Sequence, residues 1–85
     1  MCHVKFEKEW ENLAHNIKYL RTRERLSQKQ MSMLLGISTY SLRKIEALEF
    51  PPRLSVEILF LIYDHFHIPP YRLLARLLDE DETIP

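Results

Sequence analysis

The side chains best suited to chemistry fall within residues 27–48, SQKQMSMLLGISTYSLRKIEAL, and the chemistry they suit is binding. Gln28, Lys29, Ser38, Thr39, Tyr40, Ser41, Arg43 and Lys44 are all hydrogen-bond donors, and Lys29, Arg43 and Lys44 are also cationic. They surround an aliphatic pair, Leu42 and Ile45, whose spacing puts both on one helical face that must turn inward. Donors arranged this way match a partner rich in acceptors and negative charge.

No comparable set exists for catalysis. The four histidines, His3, His15, His65 and His67, lack the Cys or carboxylate spacing of a zinc or haem site. There is no P-loop, no Gly-rich dinucleotide fingerprint and no nucleophile elbow. The carboxylates fall mostly on outward helical positions or in residues 79–82. The expectation is a protein that is not an enzyme and takes no cofactor or metal.

The donors need a scaffold, and the local signals describe one made of helices. Ser27 followed three residues on by Gln30 is a capping-box pattern, in which the hydroxyl takes an orphan amide and the glutamine reaches back to the cap. A helix therefore opens at Gln28, carries Met31, Leu34 and Leu35 on one face, and stops at Gly36, the chain's only glycine and the residue most tolerant of positive φ. Ser38 is a second N-cap, opening the helix of Leu42 and Ile45.

Upstream, Trp10, Leu13, Ile17 and Leu20 recur at helical steps and predict an amphipathic helix over about residues 6–25. Downstream, Glu49-Phe50-Pro51-Pro52-Arg53-Leu54 reads as a turn, because proline removes amide donors and restricts the residue before it. Ser55 caps a fourth helix over residues 56–66, where Leu59, Ile62, Tyr63 and Phe66 form one stripe. Ile58, Phe60 and Leu61 are apolar beyond what a surface helix needs. Pro69 and Pro70 break that helix and open a fifth, in which Leu73, Leu74, Leu77 and Leu78 continue the apolar face up to the acidic run Asp79-Glu80-Asp81-Glu82.

Eighty-five residues with 46% hydrophobic content suit one domain spanning 1–85, with residues 1–6 as an N-terminal extension and 79–85 as an acidic flexible tail. A lone Cys2 cannot form an internal disulfide, no apolar run approaches the roughly 18 residues of a membrane span, and the first residues lack a signal-peptide core. A reduced, cytoplasmic protein with no membrane association is expected. The net charge of zero conceals a segregation: residues 18–46 hold seven cations (Lys18, Arg21, Arg23, Arg25, Lys29, Arg43, Lys44) against Glu24 and Glu46. That segment is +5 and the remainder −5, which would turn a polyanion toward one face.

Gln28 opening a helix, Gly36 in the turn, Leu42 and then Ile45-Glu46 together resemble the helix-turn-helix of the Cro and phage-repressor family, the XRE-like transcriptional regulators. The sequence has Ser32 where that family mostly has alanine, and Ala47-Leu48 where it usually has Asn-Gly or Lys-Gly. The missing glycine predicts a different ending for the second helix of the motif. The resemblance implies an all-α, five-helix lambda repressor-like bundle with the helix-turn-helix at helices 2 and 3. It also implies an ion pair between Arg21 and Glu46.

The same resemblance implies a sequence-specific transcriptional regulator, a small repressor that would hold a two-fold operator in double-stranded DNA as a homodimer formed through helices 4 and 5. Its third helix would enter the major groove, with Thr39, Tyr40, Arg43 and Lys44 at base edges. Gln28, Lys29, Ser38, Ser41 and Arg53 would meet phosphates, Gln28 as the clamp at a helix N-terminus. The alternative is an interaction module of the same fold, such as an antitoxin of a toxin-antitoxin pair, whose main partner is another protein. The apolar fourth helix and the acidic remainder favour that alternative.

Overall fold

The computed structural model of the chain describes residues 7–49 and 56–78. Five helices follow in order: α1 (Glu7–Arg23), α2 (Gln28–Leu35), α3 (Thr39–Glu46), α4 (Glu57–Phe66) and α5 (Pro70–Ala75), with no strand among the described residues. The fold is all-α. Leu13, Ala14, Ile17 and Leu20 of α1, Met31 and Leu35 of α2, Leu42 and Ile45 of α3, and Ile58 and Ile62 of α4 meet in one core, which Leu73 and Leu78 close. Each helix contributes the stripe that its 3.6-residue period puts on one side.

The starts of α2, α3 and α5 follow the local signals. The Ser27 hydroxyl accepts from the Gln30 amide at 3.0 Å while the Gln30 side chain accepts from the Ser27 amide at 2.8 Å, completing the capping box. Ser38 caps α3 by accepting from the Ser41 amide at 3.0 Å. Pro70 occupies the first turn of α5, where its missing N–H costs nothing. Ser55, expected to cap α4, lies outside the described residues, as do residues 1–6, most of the proline turn and residues 79–85.

Helix ends are more uniform than the sequence implies. Gly36, at φ 70°, donates to Met33 O and Ile37 donates to Ser32 O, the paired bonds of a Schellman closure. A Cβ on Gly36 would meet only Leu61 Cδ1 at 3.8 Å, so the glycine serves the backbone rather than the space. Arg25, at φ 59°, closes α1 in the same way, with its amide on Thr22 O and that of Leu26 on Arg21 O. Leu48, at φ 65°, closes α3: its amide donates to Ile45 O at 3.0 Å and the Glu49 amide to Lys44 O at 2.7 Å. The expectation of a different ending for α3 is therefore corrected. A leucine takes the left-handed conformation that glycine takes after α2, because the two closing bonds and the docked helix outweigh a local strain of about 1–2 kcal/mol. His67, at φ 60°, ends α4 with one bond to Tyr63 O.

The fifth helix is shorter than its leucine pattern predicts, ending at Ala75 with Arg76 extended at φ −165°. The cause lies in α1. Asn16, fully buried, donates to Leu73 O at 2.9 Å and Arg76 O at 3.0 Å and accepts from the Leu78 amide at 2.8 Å. Asn12 donates to Leu74 O at 2.8 Å. Two side-chain amides thus take the carbonyls that another helical turn would have used, and the chain bends so that Leu78 is buried. Leu73 of α5 and Ile58 of α4 are buried within the chain, while Val56, Phe60 and Tyr63 on one side of α4, and Tyr71 of α5, stay exposed.

Candidate nucleic-acid interface

α3 is held from two directions, packing against α2 and against α1. Its inward face inserts Leu42 and Ile45, both with no solvent exposure. Its last residue, Glu46, is the electrostatic anchor. Arg21 grips that carboxylate with two parallel bonds, Nε to Oε2 at 2.7 Å and Nη2 to Oε1 at 3.1 Å, and Gln28 Nε2 adds a third at 3.1 Å. Arg21 Nη1 also donates to Leu26 O at 3.0 Å, tying in the turn before α2. With the Glu46 side chain only 6% exposed, three helices are fixed around one buried charge, and a fork-to-fork pair of this kind sets orientation as well as energy.

The contact between α2 and α3 is polar at its centre. Ser32, 3% exposed, donates its single hydroxyl proton to Lys29 O at 2.8 Å, so Thr39 is the donor of the 3.2 Å contact between the two hydroxyls. Thr39 is thereby half-buried in the helix-helix joint, and its proton is not directed outward. Ser38 spends its hydroxyl on the cap and on Ser41 Oγ at 3.1 Å, which leaves the Ser41 proton for an external acceptor. Gln28 is tied to Glu46 and is half-buried.

The outward side of α3 is formed by the others. Tyr40, 61% exposed, Arg43 and Lys44 line an open depression of about 340 Å³ together with Ala47 and Glu49, and Lys29 is exposed at the start of α2. Arg53 lies outside the described residues. The Lys44 ammonium sits 5.2 Å from the centre of the Tyr40 ring and 3.5 Å from Glu49 Oε1. The Tyr40 phenol first, then the Glu49 carboxylate, holds Lys44 above its ordinary value, so it stays charged throughout the neutral range.

The two carboxylates of the basic segment are consumed internally: Glu46 by Arg21, and Glu24 by Arg23 at 2.9 Å. Within residues 18–46 the cations left over are Lys18, Arg25, Lys29, Arg43 and Lys44, of which Lys44 faces Glu49. No family model, curated protein or solved structure matches the chain.

Sequence reasoning missed Glu49 at the site, and Asn12 and Asn16, which anchor α5 on α1. Asn12 and Asn16 carry a visible signal, two poor helix formers four apart within an apolar stripe, where an amide is retained only if it has partners. Glu49 carries none, because its return to α3 depends on a left-handed leucine. Among the described residues, no group of three or more His, Cys, Asp or Glu side chains is placed to hold a metal ion.

Proposed function

We propose that the chain is a sequence-specific double-stranded DNA-binding transcriptional regulator, a small helix-turn-helix repressor of Cro-like or XRE type, with α3 as its recognition helix. One observation carries the reading: α3 is locked to α1 and α2 through Glu46 while Tyr40, Arg43 and Lys44 stand on its solvent face. A B-DNA major groove admits one such helix, and Arg and Lys are the side chains that pair with guanine O6 and N7. Lys29 and the Ser41 hydroxyl, at the starts of α2 and α3, suit phosphate oxygens.

Two-fold operators require two copies of the reading helix, and the exposed apolar side of α4, Val56, Phe60 and Tyr63, supports a homodimer through α4 and α5. The same face supports the second reading, an interaction module whose partner is another protein. Selection from random duplexes at physiological salt, with the mass of the chain measured alongside, separates them. An enriched palindrome bound by a dimer is the expected result. Failure to enrich any sequence, with no salt dependence of duplex binding, overturns the DNA reading.

A further inference from the structure

The residue with the least reason to be on a DNA-binding surface is Glu49. It is exposed and anionic, yet it borders the same depression as Tyr40, Arg43 and Lys44. Its position follows from the helix end. In a Schellman closure the residue after the left-handed one returns to the third residue from the helix end, and that contact is usually apolar. Here the residue that returns is Glu49 and the one it meets is Lys44, with backbone bond and side-chain contact made between the same two residues at 2.7 and 3.5 Å. The closure thus fixes the Glu49 backbone beside Lys44 and brings its carboxylate within reach of that ammonium.

Resting on the DNA reading above, we propose that Glu49 is a specificity-determining residue: it holds Lys44 along α3 for a base edge and keeps that ammonium from serving as a general phosphate contact. An ammonium has three donors. Glu49 and Tyr40 occupy two sides of it, leaving the remaining direction for an outside acceptor. A phosphate approaching Lys44 meets the Glu49 charge as well, whereas guanine O6 and N7 are neutral acceptors and meet less opposition. Sequence-independent binding is the form most weakened, since it is supplied almost wholly by phosphate neutralisation.

The test is Glu49→Gln, which keeps the side-chain shape and removes the charge, measured on random duplex and on the best selected duplex across a salt series. Freed for a phosphate, Lys44 should steepen the salt slope on random duplex by about 0.9 and raise affinity there about three- to tenfold near 0.1 M salt. Affinity for the selected duplex should stay within about threefold, so discrimination falls. In a Lys44→Ala background the added slope should vanish. Thermal unfolding of each variant confirms the fold. Wild-type protein that binds duplex normally while Glu49→Gln leaves slope and discrimination unchanged overturns the Glu49 role alone. Wild-type protein that ignores every duplex overturns the DNA reading and this role with it.

Discussion

Asn16 offers the sharpest test of how the bundle is held. Substituting alanine removes one side chain but leaves three backbone groups, Leu73 O, Arg76 O and the Leu78 amide, without their partner. An orphaned buried group costs about 1–3 kcal/mol, whereas one that water can reach costs little. Arg76 is exposed and its carbonyl can turn to solvent, so the penalty rests on Leu73 O and the Leu78 amide, both at buried residues. The expected loss is about 3–5 kcal/mol, a large share of the roughly 5–15 kcal/mol available to a small domain. Asn12→Ala removes only the bond to Leu74 O and should cost about 1–2 kcal/mol. Urea unfolding followed by helical circular dichroism gives both values, and hydrogen exchange at the Leu78 amide shows whether the end of α5 has come loose first. An Asn16→Ala loss below about 1 kcal/mol, or one equal to that of Asn12→Ala, would refute the claim that α1 terminates and anchors α5.

Arg21→Met and Glu46→Gln should each destabilise by about 3 kcal/mol or more, and the double mutant should lose clearly less than their sum, because either single change strands a buried partner; purely additive losses in a double-mutant cycle would exclude the coupling. Gly36→Ala should cost about 1–2 kcal/mol, whereas Leu48→Gly should be neutral or gain up to about 1 kcal/mol by relieving the same left-handed conformation; a comparable loss at both positions in thermal unfolding would show that Leu48 is held by packing instead. Lys44→Ala should lose about 1–3 kcal/mol of duplex binding and relax sequence preference, while Lys29→Ala should weaken all duplexes alike and flatten the salt slope by about one unit. Phe60→Glu should leave folding intact and shift a dimeric mass to that of a monomer, as read by light scattering; an unchanged dimer would remove α4 from the interface.

The residues 27–48 were legible because their signals are local. A capping box, a second serine cap and a glycine at positive φ depend on neighbours within four residues, and all three stand where the sequence puts them. The Arg21–Glu46 pair, which joins residues 25 apart, was implied only by resemblance to a known motif, and the structure contains it. The closure of α3 was not legible: Leu48 has low intrinsic preference for the left-handed region, and only its closing bonds, with α3 already docked on α1 and α2, hold it there. Nor was the end of α5, where the leucine spacing runs on through Leu78 but buried amides from α1 take the carbonyls first.

By itself, then, the sequence determined the periodic faces of the helices and the serine caps of α2 and α3, and put Tyr40, Arg43 and Lys44 on the side of α3 away from Leu42 and Ile45. Tertiary structure decided which donors remain available. It turned Thr39 into a helix-helix contact, tied Gln28 to Glu46, and brought Glu49 against Lys44. Periodicity fixes the direction of a side chain relative to its own helix, but the partner that takes its hydrogen bond comes from another part of the chain and is known only once the helices have packed.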